Sequence, residues 1–328
     1  MLVVIMHSMR GGDNANAMIY VALDTLAKPC NALFFMTSGA LLLPIKTDGK
    51  TFLKRRMGKI IIPCLVWTII YNLSKVAWGD RSISDMFAIL VYVPFSSGAY
   101  GILWFVYILI GLYLLVPILS PWLISVSKNS VKCLLGLWVV TLVLIIARNF
   151  ISFPDDERQM LYYFGGYGGY FLLGYYFHQY RPRHSVLLLL ILIICPFAIA
   201  LLLRTPSFLD VDRWSVLGYL SLFTALCAYG WFGLIQKLVF PRTIENANDG
   251  QKLLLKGIIT RVSNLSFGVY LSHIIVCNAI WRIPFVTSHG CVLELILTIL
   301  LTFSISLGIV WLISLLPFAQ YIIGYKQR

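Results

Sequence analysis

The sequence predicts an all-α fold, a polytopic bundle of about nine or ten transmembrane helices, and three observations carry that prediction. Of 328 residues, 59% are hydrophobic and only 12% charged, with a mean hydropathy of +0.85. A soluble domain of this length cannot hide that much apolar surface in one core. Apolar runs close to the ~20 residues that cross a bilayer recur along the whole chain. The basic residues between those runs fall mainly into alternate loops, as the positive-inside rule requires.

The first run, MLVVIM (1–6), has neither a basic leading region nor a small-residue cleavage site and does not read as a signal peptide. Six residues rise only ~9 Å as a helix, so this segment reads as the second half of a membrane helix, and the first helix is expected to be truncated. Further apolar runs lie at 29–45, 60–78, 102–124, 133–147, 160–178, 185–203, 215–235, 258–281 and 291–324. The shorter run 84–95 reads as an interfacial or re-entrant piece. The polar stretch 236–257, with Pro241, Asn246, Asn248, Asp249 and Gly250, reads as a flexible connector. No soluble domain separates out, so 1–328 is one integral-membrane domain. No internal repeat is visible, which counts against an inverted-repeat transporter.

The net charge of +13 fits either nucleic acid or a membrane surface, and its distribution favours the membrane. With the 46–59 loop inside, 17 of the 26 Lys and Arg residues fall in inside loops and 9 outside. The loops 46–59, 125–132, 179–184 and 236–257 are therefore expected to be cytoplasmic, as is the C-terminus. No nucleic-acid partner is expected; the lipid bilayer is. The seven cysteines show no CxxC or HExxH spacing, so no metal site is expected. Most lie in apolar runs and read as small buried thiols.

Few residues can carry chemistry. His7 follows six apolar residues and precedes Gly11-Gly12-Asp13, which puts it near the outer end of the first helix. An imidazole there is either a boundary histidine or a general base. In TFLKRRMGKIIIPCLVW (51–67), Lys54, Arg55, Arg56 and Lys59 cluster within about one and a half turns at a cytoplasmic helix start. Such a cluster either anchors to anionic headgroups or grips phosphates. Pro63 either kinks that helix or marks its first turn. In YFGGYGGYFLLGYY (163–176), Gly165 and Gly169 have the small-xxx-small spacing of close helix packing; a broken helix lining a cavity is the alternative. His273 is an ionisable residue within a span, expected to face the bundle interior, and His178 and His184 read as anchors at the inner interface.

Four segments in order carry a resemblance: VVIMHS (3–8), NALFFMTSGALLLP (31–44) running into FLKRRMGKIIIPCLVW (52–67), LWFVYILIGLYLLVPIL (103–119), and SFGVYLSHIIV (266–276). Together they resemble the acyltransferase-3 family of membrane acyltransferases, bacterial-type enzymes that acylate sugars and cell-surface polymers. The resemblance implies a multi-pass protein of the bacterial inner (plasma) membrane. It would move an acyl group, acetyl in the simplest case, from acyl-CoA to a hydroxyl of an exported sugar or polysaccharide. It implies His7 as the general base, Arg55, Arg56 and Lys59 on the phosphates of the CoA donor, and Trp104 and His273 as substrate contacts. The family's arginine, roughly ten residues or about 15 Å of helix before the histidine, falls ahead of residue 1, in keeping with a truncated first helix. Ile102 stands where the third motif often has histidine, so there only Trp104 carries over. Two other readings stay open at this point: a transporter or flippase of a lipid-linked sugar, and a non-catalytic membrane partner.

The charge split makes a direct prediction. A cysteine introduced at Lys252 is expected to be shielded from an impermeant thiol reagent applied to the outer face, and to react once the inner face is opened. Strong labelling of Lys252→Cys from outside would invert the topology.

Overall fold

The computed structural model describes residues 2–9, 18–92, 104–148, 151, 161–204, 218–245, 249–287 and 291–327. Its described elements are all helical. In order they are α1 (Leu2–His7), α2 (Met18–Ala27), α3 (Pro29–Leu42), α4 (Gly49–Ala77), α5 (Ile83–Tyr92), α6 (Trp104–Ser125), α7 (Lys128–Ala147) and α8 (Gly168–Tyr180). They continue as α9 (Val186–Arg204), α10 (Leu222–Glu245), α11 (Asp249–Ile280), α12 (Pro284–Thr287), α13 (Cys291–Ser314) and α14 (Ala319–Ile323). Among the described residues five segments are long and apolar enough to cross a bilayer: Gly49–Ala77, Trp104–Ser125, Lys128–Ala147, Ile259–Ile280 and Val292–Ser314. The chain is thus an all-α, multi-pass bundle. The remaining helices are shorter or more polar and pack among these five.

Helix starts follow local chemistry. The Asp48 carboxylate accepts from the backbone N–H groups of Lys50 (2.9 Å) and Thr51 (3.2 Å), which caps α4. The Thr51 hydroxyl and those N–H groups hold the Asp48 carboxyl below the usual carboxylate range. Ser127 caps α7 by accepting from the Ser130 N–H at 3.1 Å. Pro63 lies inside α4, which continues through it to Ala77.

The centre of the bundle is α3 laid against α8, the most extensive pairing of described elements. Here two helix backbones touch. A Cβ on Gly39 would lie 1.8 Å from the carbonyl oxygen of Phe171, and one on Gly174 would lie 1.8 Å from that of Met36. A Cβ on Gly169 would lie 2.1 Å from the side-chain ring of Trp138 on α7. Close packing of the glycine-rich segment is found at Gly169 and Gly174, but Gly165 lies outside α8, so the expected Gly165–Gly169 helical spacing does not form. Gly166 takes a positive φ of 83° in the non-helical link before α8, and its carbonyl accepts from Trp138 Nε1 at 2.9 Å. Around this crossing Phe35, Met36, Tyr170, Phe171, Tyr175 and Phe177 are buried. By contrast Ile118, Ile124, Leu187, Ile194, Leu300 and Leu312 face outward from the spans, as lipid-facing residues do.

Several expectations are corrected. The stretch 236–257 is helical on both sides of 246–248, belonging to α10 and α11; Gln236, Lys237, Gln251, Lys252 and Leu253–Leu255 are good helix formers that outweigh the Asn and Gly residues. The run 291–324 is two helices, α13 and α14, with Pro317 at the break. An unforeseen helix, α2, precedes α3. Of the cysteines, Cys30, Cys227 and Cys277 are buried, whereas Cys133 and Cys195 are exposed.

Side-chain contacts sort the connections into two ends. At one, Lys237 Nζ donates to the carbonyl of His184, His184 Nε2 bonds Tyr229 Oη at 2.6 Å, and Lys128 Nζ lies 5.3 Å from the centroid of the Tyr180 ring. Gly324, near the C-terminus, packs on the Lys59 carbonyl, so the chain's last residues lie at the level of the basic start of α4. At the other end Arg282 binds Asp80 at 2.9 Å and stacks over Trp78 at 4.6 Å.

The glycine crossing yields a stability prediction. Gly39→Ala or Gly174→Ala must push two backbones apart and is expected to cost about 1–3 kcal/mol or more, lowering the melting temperature of detergent-purified protein. Gly111→Ala, with open space around its Cβ, is expected to be neutral or slightly stabilising. Equal melting temperatures for the three variants would contradict this packing.

Candidate active site

His7 ends α1. The helix closes with the Ser8 N–H donating to the carbonyls of Val4 (2.9 Å) and Ile5 (3.2 Å), and Val4 is buried. The last turn leaves carbonyls without intrahelical partners; that of His7 accepts from the Cys277 thiol of α11 at 3.4 Å. One turn before Cys277 on α11, His273 packs its ring against the ring of His7, with centroids 5.3 Å apart and planes inclined by 53°. His7 is partly exposed, whereas His273 is 0% exposed. His273 Nδ1 lies 2.5 Å from the carbonyl oxygen of Tyr270. A hydrogen bond from Tyr71 Oη of α4 to the Leu271 carbonyl, 2.7 Å long, fixes this part of α11 against α4.

An aromatic wall connects the histidines to Trp104 at the start of α6. Tyr270 stands 5.7 Å from His273 and 5.5 Å from Phe105, and Phe105 is 6.3 Å from Trp104. Trp104 also packs on Tyr219 at 5.2 Å and on Tyr167 at 5.7 Å. Tyr219 reaches back to α1, its hydroxyl 3.2 Å from Met6 Sδ. Three residues singled out from sequence, His7, His273 and Trp104, thus meet in one region although they come from α1, α11 and α6.

The same region holds a charged pair that the sequence reading passed over. Lys28 and Asp24 form an i,i+4 ion pair of 3.3 Å, their side chains only 15% and 19% exposed. The Lys28 ammonium lies 5.1 Å from the centroid of Tyr219, and both charges are close enough for their fields to bear on His7. Opposite charges four residues apart in an otherwise apolar stretch are a legible signal for a helix with an inward-facing pair. Tyr167, Tyr219 and Tyr270 were also missed; nothing in their local sequence distinguishes them from other tyrosines of the chain.

Arg55, Arg56 and Lys59 are elsewhere. They project from the first turns of α4 and are exposed, as is Lys54. Tyr71, which bonds Leu271 near the histidines, is 15 positions beyond Arg56, or about 22 Å along the helix at 1.5 Å per residue. The region therefore has two parts: a histidine and aromatic cluster, and a basic rim one membrane leaflet or more away. The cluster offers a partly exposed imidazole beside an ammonium and an aromatic surface. That combination can take a proton from a hydroxyl, stack on a flat or ring-shaped partner, and offset negative charge.

No curated protein and no solved structure matches the chain. The profile of the acyltransferase-3 family, an acyltransferase domain, matches residues 1–315. This covers all four sequence motifs and every helix of the histidine cluster, and the chain belongs to the acyltransferase-3 family.

Proposed function

We propose that the protein transfers an acyl group, acetyl in the simplest case, from acyl-CoA to a hydroxyl of an exported or cell-surface sugar or polysaccharide, with His7 as general base. The observation that carries this reading is the placement of a partly exposed His7 at the aromatic cluster of Trp104, Tyr167 and Tyr219, the surface a sugar ring prefers. The acceptor hydroxyl gives its proton to His7 as its oxygen attacks the thioester carbonyl. Collapse of the tetrahedral intermediate breaks the C–S bond, and the CoA thiolate leaves with the proton held by His7, which returns to its neutral form. Trp104 and His273 form the substrate-facing and inner sides of this site. Lys28, drawn away from its pairing with Asp24, would offset the negative charge that develops on the carbonyl oxygen.

The donor's phosphates are assigned to Arg55, Arg56 and Lys59, an exposed basic group suited to charge-assisted phosphate contacts. The donor arm would then run between that rim and the histidines. The basic rim and the C-terminus share one end of the bundle, which the charge distribution assigns to the cytoplasm, where acyl-CoA is made; the acceptor would meet His7 from the other face. The membrane is the bacterial inner or plasma membrane in this reading.

The test is incorporation of labelled acetyl from acetyl-CoA into hydroxyl-bearing polymers, in membranes with and without the protein. His7→Gln is expected to lower turnover by ~10²–10⁴-fold while membrane abundance and detergent gel-filtration profile stay unchanged. Retention of most turnover by His7→Gln would remove His7 from the chemistry.

A further inference from the structure

We infer that His273 is a positioning residue that receives the N–H of protonated His7 through Nε2, forming with it a two-histidine proton-holding unit; this rests on His7 being the base. Its tautomer follows from its neighbours. Nδ1 faces the carbonyl oxygen of Tyr270 at 2.5 Å. Carbonyl oxygens only accept, so Nδ1 carries the hydrogen, and in the neutral ring Nε2 is then a bare acceptor. That acceptor is buried and has no hydrogen-bond partner among the described residues. A buried acceptor without a donor is costly; Nε2 shares that state with Ser8 Oγ, Trp281 Nε1 and three hydroxyls of α13, and what sets it apart is its place against the ring of the proposed base. The titratable ring packed against it from α1 is that of His7, 5.3 Å away between centroids.

The chemistry supplies that partner. Neutral His7 must keep one nitrogen bare to take the acceptor's proton. Once it has done so, both its nitrogens carry hydrogen, and the N–H turned away from the substrates, more acidic in the imidazolium, gains most from a buried acceptor. Nε2 of His273, on a ring whose centroid is 5.3 Å from that of His7, is the acceptor we assign to that task. No proton leaves the pair: His7 gains one from the acceptor hydroxyl and returns it to the CoA thiolate, while His273 keeps its own on Nδ1 throughout. The two rings also differ in access, since His7 is partly exposed whereas His273 is 0% exposed. His273 therefore acts through His7 rather than on the reacting atoms.

Three substitutions separate this role from packing. His273→Gln places an amide oxygen near the position of Nε2 and restores the acceptor. His273→Asn restores only the donor to the Tyr270 carbonyl. His273→Phe keeps the ring and its contact with His7 but neither polar function. Kinetics of acetyl-CoA turnover are measured for each, with water as well as a hydroxyl compound as acceptor, on protein that elutes as wild type in gel filtration. The expected order is Gln well above Asn and Phe. Asn and Phe are expected to lose about tenfold or more in kcat, part of the ~10²–10⁴ of a general base, with KM for acetyl-CoA within about twofold. Phe or Asn matching or exceeding Gln, or Gln failing as completely as Phe, would overturn the assignment and leave His273 a packing residue. If His7→Gln is itself active, or wild type shows no His7-dependent turnover, the reading of His7 fails and this inference with it. An essential His7 with the wrong order at 273 defeats the inference alone.

Discussion

The contact of backbone with backbone where α3 crosses α8 is the constraint on which the rest of the bundle depends. In lipid, apolar burial gives helices little reason to associate, and close van der Waals packing takes its place. Gly39 and Gly174 allow it from both sides, each with a carbonyl of the other helix where a Cβ would be. The crossing sets where the neighbours of both helices lie. From α3, Phe35 reaches Phe105 at 4.7 Å and Tyr167 at 5.2 Å. These are members of, or neighbours to, the aromatic wall that ends at His273. From α8, the Tyr170 hydroxyl bonds the Tyr219 carbonyl at 2.7 Å and so fixes the ring that packs on Trp104 and Met6. A shift of α3 against α8 would loosen Trp104, Tyr167 and Tyr219 together.

Polar groups inside such a bundle are expensive, and one group of them gathers where α1 ends. Around the end of α1 lie His7, His273, Cys277 and the Lys28–Asp24 pair, drawn from α1, α11 and the end of α2. Each is held by a defined contact: a carbonyl for Cys277 and for His273 Nδ1, an ion pair for Lys28. Lys54, Arg55, Arg56 and Lys59 lie toward the other end of α4 and are exposed. A reaction between two substrates that reach a bundle from opposite faces needs this separation. In the proposed reaction the donor's charges would stay at one surface while its reactive end reaches inward to a site open to the acceptor at the other.

The sequence was most informative where a single local property decides the outcome. Apolar run length and the Lys/Arg bias gave the membrane class, and the order of four motifs gave the family. It misled where one signal had to be weighed against another. Asn and Gly within 236–257 read as a connector, but the surrounding Lys, Gln and Leu extend α10 and α11. Pro317 was overlooked inside an apolar run, and it divides α13 from α14. The helix α2 went unread because Asp24 and Lys28 interrupt the apolar pattern, so no run was drawn ahead of residue 29. The meeting of His7 with α11 was beyond local reading altogether: Cys277 and the His7 carbonyl are 270 positions apart in the chain, and only the helix packing brings them together. Single motifs named His7, His273 and Trp104 separately; their adjacency is a property of the fold.

The central claim, that donor and base meet across the bundle, is tested most directly by an experimental structure of the protein in a lipid nanodisc with acetyl-CoA bound. The account predicts density for the CoA phosphates on Arg55, Arg56 and Lys59 and the thioester carbonyl beside His7, with His273 behind it and Trp104 alongside. Acetyl-CoA bound with its thioester remote from His7, or with its phosphates away from the start of α4, would contradict it.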